Sequence, residues 1–128
     1  MNPKVEKIVV KRGFAIPKNG CEILEGNKRL SCRFQGNICV VHMVKTSNRE
    51  ADCEWVCRKL EEIGILQKGV EVILISRHEG WENPPEGREW QRHEYEKVVK
   101  SEKGWKLESI NDKECQRLYK DFVLKEIK

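Results

Sequence analysis

The segment Ser76–Glu96, SRHEGWENPPEGREWQRHEYE, concentrates the residue types that could carry chemistry. It contains two His-Glu pairs, His78-Glu79 and His93-Glu94, together with two tryptophans and three arginines. Imidazole and carboxylate groups that converge can bind a divalent metal ion, whose bound water is a hydrolytic nucleophile. If the two ends of the segment pair as strands, His78, His93 and Glu94 become candidate ligands. The spacing does not contain the H-E-x-x-H motif.

The same segment supports a second interpretation, because its basic residues are interleaved with aromatic ones. Guanidinium groups pair with phosphates, and an exposed indole stacks on an unpaired base. Four glutamates lie between the first and the last of these arginines, so the predicted loop is close to neutral. A plain connection between two strands, with both tryptophans packed, is a third interpretation. The candidate nucleic-acid contacts here are Arg77, Trp81, Arg88 and Arg92.

The distribution of charge along the chain favours an acidic partner. The net charge is +4, but residues 1–46 carry nine Lys/Arg against three Glu, and the remainder is net negative. A basic half of this kind favours nucleic acid, RNA or DNA, although solvated strand faces would give the same count. The predicted phosphate contacts in this half are Lys7, Lys11, Arg12, Lys28, Arg29 and Arg33.

The six cysteines form no C-x-x-C pair, which argues against a zinc ribbon. We therefore expect most of them to be buried thiols that pack as small hydrophobes. His42 could approach Cys53 and Cys57, which share one helix face, and the three would make a metal or redox site. A buried histidine and two packed thiols are the competing explanation. No cofactor is implied by any motif.

Local patterns predict the elements that position these residues. A Ser47-to-Glu50 capping box and a terminal Gly64 bound the clearest helix, whose apolar positions recur every three or four residues. Asn111 is the predicted cap of a second, C-terminal helix. Residues 77–88 are predicted to be a loop. Predicted strands cover residues 5–13, 21–25, 29–34, 38–46, 69–76, 89–99 and 105–110. The strand 69–76 is apolar on both faces, which indicates a sheet interior. Residues 89–99 could instead form a helix begun by Pro85, but a hairpin with 105–110 is favoured.

These elements predict an α+β fold over residues 1–128 as a single domain. The sheet should be mixed and mainly antiparallel, with six to seven strands, one βαβ crossover helix and a C-terminal amphipathic helix. The strands flanking the first helix should run parallel to each other. The sequence has no run of 18 apolar residues and no secretory pattern at its N-terminus, so we expect a cytoplasmic protein without membrane contact. Self-association as a homodimer stays an open alternative.

The order strand, strand, strand, helix, strand across residues 21–76 resembles the core of the restriction-endonuclease-like nucleases. In that family an acid on one strand and an E-x-K on the next hold magnesium, and the lysine assists. Lys45 stands at the place of that lysine, but His42 stands where a carboxylate is needed. The resemblance implies a nuclease only if the acids come from other positions, such as Glu22 or Glu25.

The sequence thus predicts a small intracellular nucleic-acid-binding protein that uses a basic strand surface and an Arg/Trp-containing loop. Two alternatives stay open. One is a metal-dependent hydrolase or nuclease with a His/Glu site. The other is a protein-interaction module without catalytic activity, whose charges are only solvated faces.

Overall fold

The computed structural model describes residues 4–18, 21–82 and 87–125. Within these ranges the chain forms two α-helices and seven strands. The strands make one mixed sheet of order β2-β3-β4-β1-β5-β6-β7. The strands β1 to β7 are Lys7–Arg12, Cys21–Glu25, Lys28–Gln35, Ile38–Met43, Glu71–Glu82, Arg88–Ser101 and Gly104–Ser109. The helices are α1, Arg49–Glu62, and α2, Asp112–Leu118.

The first strand occupies the centre of the sheet. β1 runs parallel to both β4 and β5, whereas the other four strand pairs are antiparallel. The helix α1 connects β4 to β5, so these two strands run in the same direction with β1 between them. The predicted α+β class is therefore confirmed, including the mainly antiparallel mixed sheet, the crossover helix and the C-terminal helix.

Helix α1 begins one residue later than the sequence predicts. The side chain of Asn48, not that of Ser47, caps it by accepting a hydrogen bond from the Ala51 amide at 3.0 Å. Both residue types cap helices well, and Asn48 precedes the first helical residue. The predicted end is confirmed, because Gly64 follows the helix with a φ of 82°, a conformation that glycine adopts without strain.

Two apolar cores lie on opposite faces of the sheet, one under each helix. Alternation along β1 sends Ile8 and Val10 toward α1, and Val9 toward the C-terminal helix. A strand that is apolar on both faces belongs in the interior of a sheet. Four cysteines are buried in the α1 core, as predicted for packed thiols: Cys32, Cys39, Cys53 and Cys57.

The C-terminal helix covers the second core. Asn111 caps α2, as predicted, by accepting a hydrogen bond from the Glu114 amide at 2.9 Å. The helix continues as a π-helical segment, Tyr119–Leu124, and buries Leu118 and Phe122 against the sheet. None of the helices in the described ranges has the length and apolar content that crossing a bilayer requires.

The predicted loop over residues 77–88 is wrong, because β5 continues to Glu82 and β6 begins at Arg88. The pairing of β1 with β5 ends at Ser76, and that of β6 with β7 ends at Glu96. Residues 77–82 and 88–95 therefore form a two-stranded extension beyond the neighbouring strands, which we call the ribbon. The Pro84-Pro85 turn lies outside the described residues.

Candidate nucleic-acid interface

The ribbon has two chemically different faces. Alternation from the buried Ile73 and Ile75 places Arg77, Trp81 and, across the pair, His93 on the side of the C-terminal helix, and we call this side the aromatic face. The opposite side faces the N-terminal end of α1, and we call it the acidic face. Its members include His78, Trp90, Arg92, Glu94 and Glu96.

The acidic face is a network of ion pairs. Arg49 Nη1 lies 3.0 Å from Glu94 Oε2 and 3.2 Å from Glu96 Oε1. Arg92 Nη2 lies 3.3 Å from Glu94 Oε1, and His78 Nε2 lies 3.5 Å from Glu94 Oε2. Burial raises the pKa of Glu96, and Arg49 opposes this effect. A phosphate approaching this face would be repelled by the carboxylates, and the cations of the face are already paired with those carboxylates.

The aromatic face carries a cluster of rings and cations at the base of the ribbon. The Phe14 ring stacks on the His93 imidazole with 5.4 Å between centroids, and His93 meets Tyr119 edge-on at 5.7 Å. Lys11 Nζ lies 5.1 Å from the Phe14 centroid, and the Arg77 guanidinium lies 6.0 Å from it. Both distances fall within the range of cation–π attraction.

The cations of this cluster act on the His93 imidazole. Burial lowers the pKa of His93, and the nearby charges of Arg77, Lys11 and His78 lower it further, so the imidazole is neutral near pH 7.

The lowered pKa of His93 makes a prediction for stability. As the pH falls, the unfolded chain protonates His93 at a higher pH than the folded chain requires, near the ordinary pKa of 6.5. The contribution of His93 should thus be complete above that pH and decline as the pH falls below it. We expect urea unfolding of His93→Gln to depend less on pH than the wild type between about pH 7.5 and about pH 5.5. Gln91→Ala, an exposed change on the same strand, is the control, and equal pH dependence of wild type and His93→Gln would contradict the assignment.

Three cations mark the sheet edge from which the ribbon projects. Lys45 Nζ donates a hydrogen bond to the Arg77 carbonyl at 2.9 Å, across the end of β1. The Val44 amide bonds the Arg29 carbonyl at 3.1 Å, which puts Arg29 at the same end of the sheet. This end is formed by the carboxyl termini of the parallel strands β1, β4 and β5, where ligands commonly bind in open sheets with parallel strands. We call Arg29, Lys45 and Arg77 the basic edge.

The cations predicted from the early strands do not form one surface. Lys11 and Arg12 are buried, and Arg12 donates to Asp52 Oδ2 at 2.8 Å and to the Thr46 carbonyl at 2.7 Å. A continuous basic strand surface requires both side chains in solvent, so these two cannot contribute to it. Lys28 Nζ lies 5.7 Å from the Trp55 ring, on the α1 side. The other predicted positions are Lys7 on β1, Arg33 on β3, and Arg88 and Arg92 on the ribbon.

The two metal hypotheses meet the same geometric obstacle. His78 and Glu94 share the acidic face, whereas His93 lies on the aromatic face. Cys53 and Cys57 are in the α1 core, whereas alternation puts His42 on the other side of the sheet. The three side chains therefore do not converge as the sequence predicted. Among the described residues, no group of three or more His, Cys, Asp or Glu side chains is placed to hold a metal ion.

Both acids named for a nuclease lie on the outer strand β2 and are engaged in ion pairs. Glu22 pairs with Arg29, the member of the basic edge on β3, and both side chains are partly exposed. Glu25 pairs with Lys59 and accepts a hydrogen bond from Trp55 Nε1 at 3.1 Å. The hydrogen bond from Lys59 holds the pKa of Glu25 below its usual value. Neither carboxylate is on the strand that leads to Lys45.

Four residues of the interface escaped sequence reasoning as contacts: Phe14, Lys45, Tyr95 and Tyr119. Phe14 follows the glycine that ends the first predicted strand, Tyr119 belongs to the apolar stripe of the predicted C-terminal helix, and Tyr95 carries no predicted role. Alternation along the predicted strand 89–99 is the signal that could have put Tyr95 on the same face as His93. No family model, curated protein or solved structure matches this chain, so its functional class is inferred from the ribbon, the basic edge and their charges.

Proposed function

We propose that the protein binds single-stranded nucleic acid, RNA or DNA, across the aromatic face of the ribbon and along the basic edge. One observation carries this proposal: the ribbon projects beyond the sheet and leaves Trp81 65% exposed, on the same face as Arg77. Exposed aromatic rings beside cations are what unpaired bases and their phosphates require.

The backbone around Trp81 holds its indole in place. Gly87 has a φ of 37°, and a Cβ atom there would collide with the indole ring. The ring therefore lies over the Gly87 backbone, and its remaining surface is open to solvent. A stacking platform that is ordered before binding loses less conformational entropy when a base arrives.

A phosphate can compete with the acids of the aromatic face for Arg77. Arg77 pairs with Glu79 at 3.5 Å, but both side chains are substantially exposed, and such pairs contribute only about 0–1 kcal/mol. Glu89, across the strand pair from Trp81, is a second acid on this face. Glu94 and Glu96 lie on the other face, where Arg49 holds them.

The salt dependence of binding tests this proposal. If Arg29, Lys45 and Arg77 each neutralise one phosphate, the logarithm of the affinity should fall with the logarithm of salt concentration with a slope of about −2. An oligonucleotide would then lose about twentyfold in affinity between about 50 and about 200 mM salt. Fluorescence anisotropy of labelled RNA and DNA oligonucleotides measures this directly.

Substitutions along the basic edge make the test specific. Lys45→Ala and Arg77→Ala should each reduce the slope by about 0.7. Lys106→Ala, an exposed change on β7 beside Glu108, is the matched control and should leave the slope unchanged. Affinity that is the same at both salt concentrations would rule out phosphate recognition.

An apolar groove favours a second candidate function, binding of a protein partner. The groove has a volume of about 740 Å³ and lies at the end of the sheet opposite the ribbon. Its lining includes Val5, Ile23 and Val70, together with the exposed Phe34 and Ile63. Exposed apolar surface of this kind marks protein interaction sites. This candidate would be supported if the wild type bound a protein partner that Phe34→Ser does not bind, and if the wild type bound no oligonucleotide.

A further inference from the structure

A second cavity opens beside the ribbon, between β6 and the C-terminal helix, with a volume of about 510 Å³. This volume is in the range of small-molecule sites. Three rings contribute to its lining: His93, Tyr95 and Tyr119. The cavity is an open groove that adjoins the aromatic face of the ribbon.

The polar groups of the lining suit a nucleotide. Gln91 and Gln116 supply amides that can both donate to and accept from a base edge, and Lys120 supplies an ammonium group. The Arg92 guanidinium is engaged with Glu94 on the acidic face, so Lys120 is the cation on this side. Within the described part of the chain, no carboxylate contributes to the lining.

The Tyr95 hydroxyl is closed off from the cavity. Tyr95 Oη is inaccessible to solvent and has no hydrogen-bond partner among the described residues, so the ring of Tyr95, and not its hydroxyl, is the part that a ligand can meet. Burial raises the pKa of Tyr95 to about 12, so the hydroxyl is neutral near pH 7.

The helix changes its geometry beside the cavity. Tyr119 begins the π-helical segment, and Tyr119, Lys120 and Leu124 from this segment all contribute to the lining. Single π-helical turns are frequent at functional sites, because the extra residue redirects side chains. Here the altered turn brings a ring and an ammonium group to the same cavity.

We propose that this cavity takes one unstacked base of the bound strand, with the phosphate of that nucleotide at Lys120. Its minimal ligand is then a nucleoside 5′-monophosphate. The base lies against the rings of Tyr95 and Tyr119, and the glutamine amides contact its edge. This inference rests on the proposed function, because it supplies a pocket for a base of the strand that the ribbon binds.

Imidazole NMR signals test the cavity without any substitution. The chain has three histidines, and only His93 lines the cavity. Titration of the intact protein with AMP, CMP, GMP and UMP in turn should shift the His93 signals for at least one of them. The signals of His78, on the acidic face, should stay in place. No shift of His93 with any of the four nucleotides would overturn the inference.

Two variants give a second readout. Lys120→Glu reverses an exposed charge without touching the core, and Tyr119→Leu removes a ring. Each variant should weaken binding of the nucleotide that the wild type binds. For Tyr119→Leu, the loss of one stacked ring should lower the affinity by about fivefold to about a hundredfold. Lys106→Ala, an exposed change on β7 and outside the cavity, should leave mononucleotide affinity unchanged. Unaltered affinity in both Lys120→Glu and Tyr119→Leu would place the nucleotide elsewhere.

The cavity and the proposed function can fail separately. Tight, salt-dependent oligonucleotide binding without a mononucleotide effect at His93 would refute the cavity and support the ribbon interface. Mononucleotide binding at His93, with oligonucleotides no tighter than mononucleotides, would support the cavity and refute strand binding. If neither ligand binds, both proposals are wrong.

Discussion

Replacing Asp52 with alanine should lower the free energy of unfolding by about 3–5 kcal/mol, because it leaves a buried guanidinium without its counter-charge. Asp52 Oδ2 accepts hydrogen bonds from Arg12 Nε at 2.8 Å and from the Thr46 amide at 2.8 Å, and Oδ1 accepts from Thr46 Oγ1 at 2.6 Å. The side chains of Arg12 and Asp52 are only 4% and 1% exposed. This pair ties the central strand to the first turn of α1.

Chemical denaturation of matched variants would test this prediction. Glu50→Ala removes an exposed acid from the same helical turn and should change stability little. The double variant Arg12→Met, Asp52→Leu removes both charges and should regain much of the loss, because apolar residues can replace a buried pair. If Asp52→Ala were as stable as Glu50→Ala, the pair would have no structural role.

Trp81→Ala should weaken binding of a single-stranded oligonucleotide by about fivefold to about a hundredfold, the loss expected for one stacked base. The residue is 65% exposed, and β5 and β6 hold it outside the sheet, so the substitution removes little packing. Its effect should therefore appear in affinity and not in the unfolding midpoint. Anisotropy titrations at constant salt would measure it.

The chain provides a matched control of the same residue type. Trp90 lies on the opposite face of the ribbon, where its ring covers Gly80, and it is 38% exposed. Trp90→Ala should leave oligonucleotide affinity unchanged, although it removes an indole from the same hairpin. Equal losses in both variants would show that the ribbon supports binding only through its fold.

Much of the fold was readable from local patterns. The period of α1, the glycine after it and the Asn111 cap are signals carried by a few neighbouring residues, and the structure confirms them. The run of apolar residues in β5 correctly predicted a sheet interior. Such features depend on short-range chemistry, which a single sequence contains in full.

The rest depends on partners that are distant in sequence. VVKR in β1 resembles the solvated end of a strand, but β1 is central, so Lys11 and Arg12 are covered from both sides. Residues 77–88 were predicted to be a loop, yet Gly80 lies within β5, where the Trp90 ring from the facing strand fills the space of the absent side chain. Which side of the ribbon each arginine occupies follows from strand register, which no local motif specifies.

The central position of β1 has a consequence for biosynthesis. The ribosome delivers β1 before its two neighbours in the sheet, which are the fourth and fifth strands. Until residues up to Ser76 have emerged, the Ile-Val-Val run of β1 lacks both neighbours and is an exposed apolar strand that favours intermolecular pairing. Translation speed and chaperone supply should therefore influence the soluble yield of this protein more than its equilibrium stability would suggest.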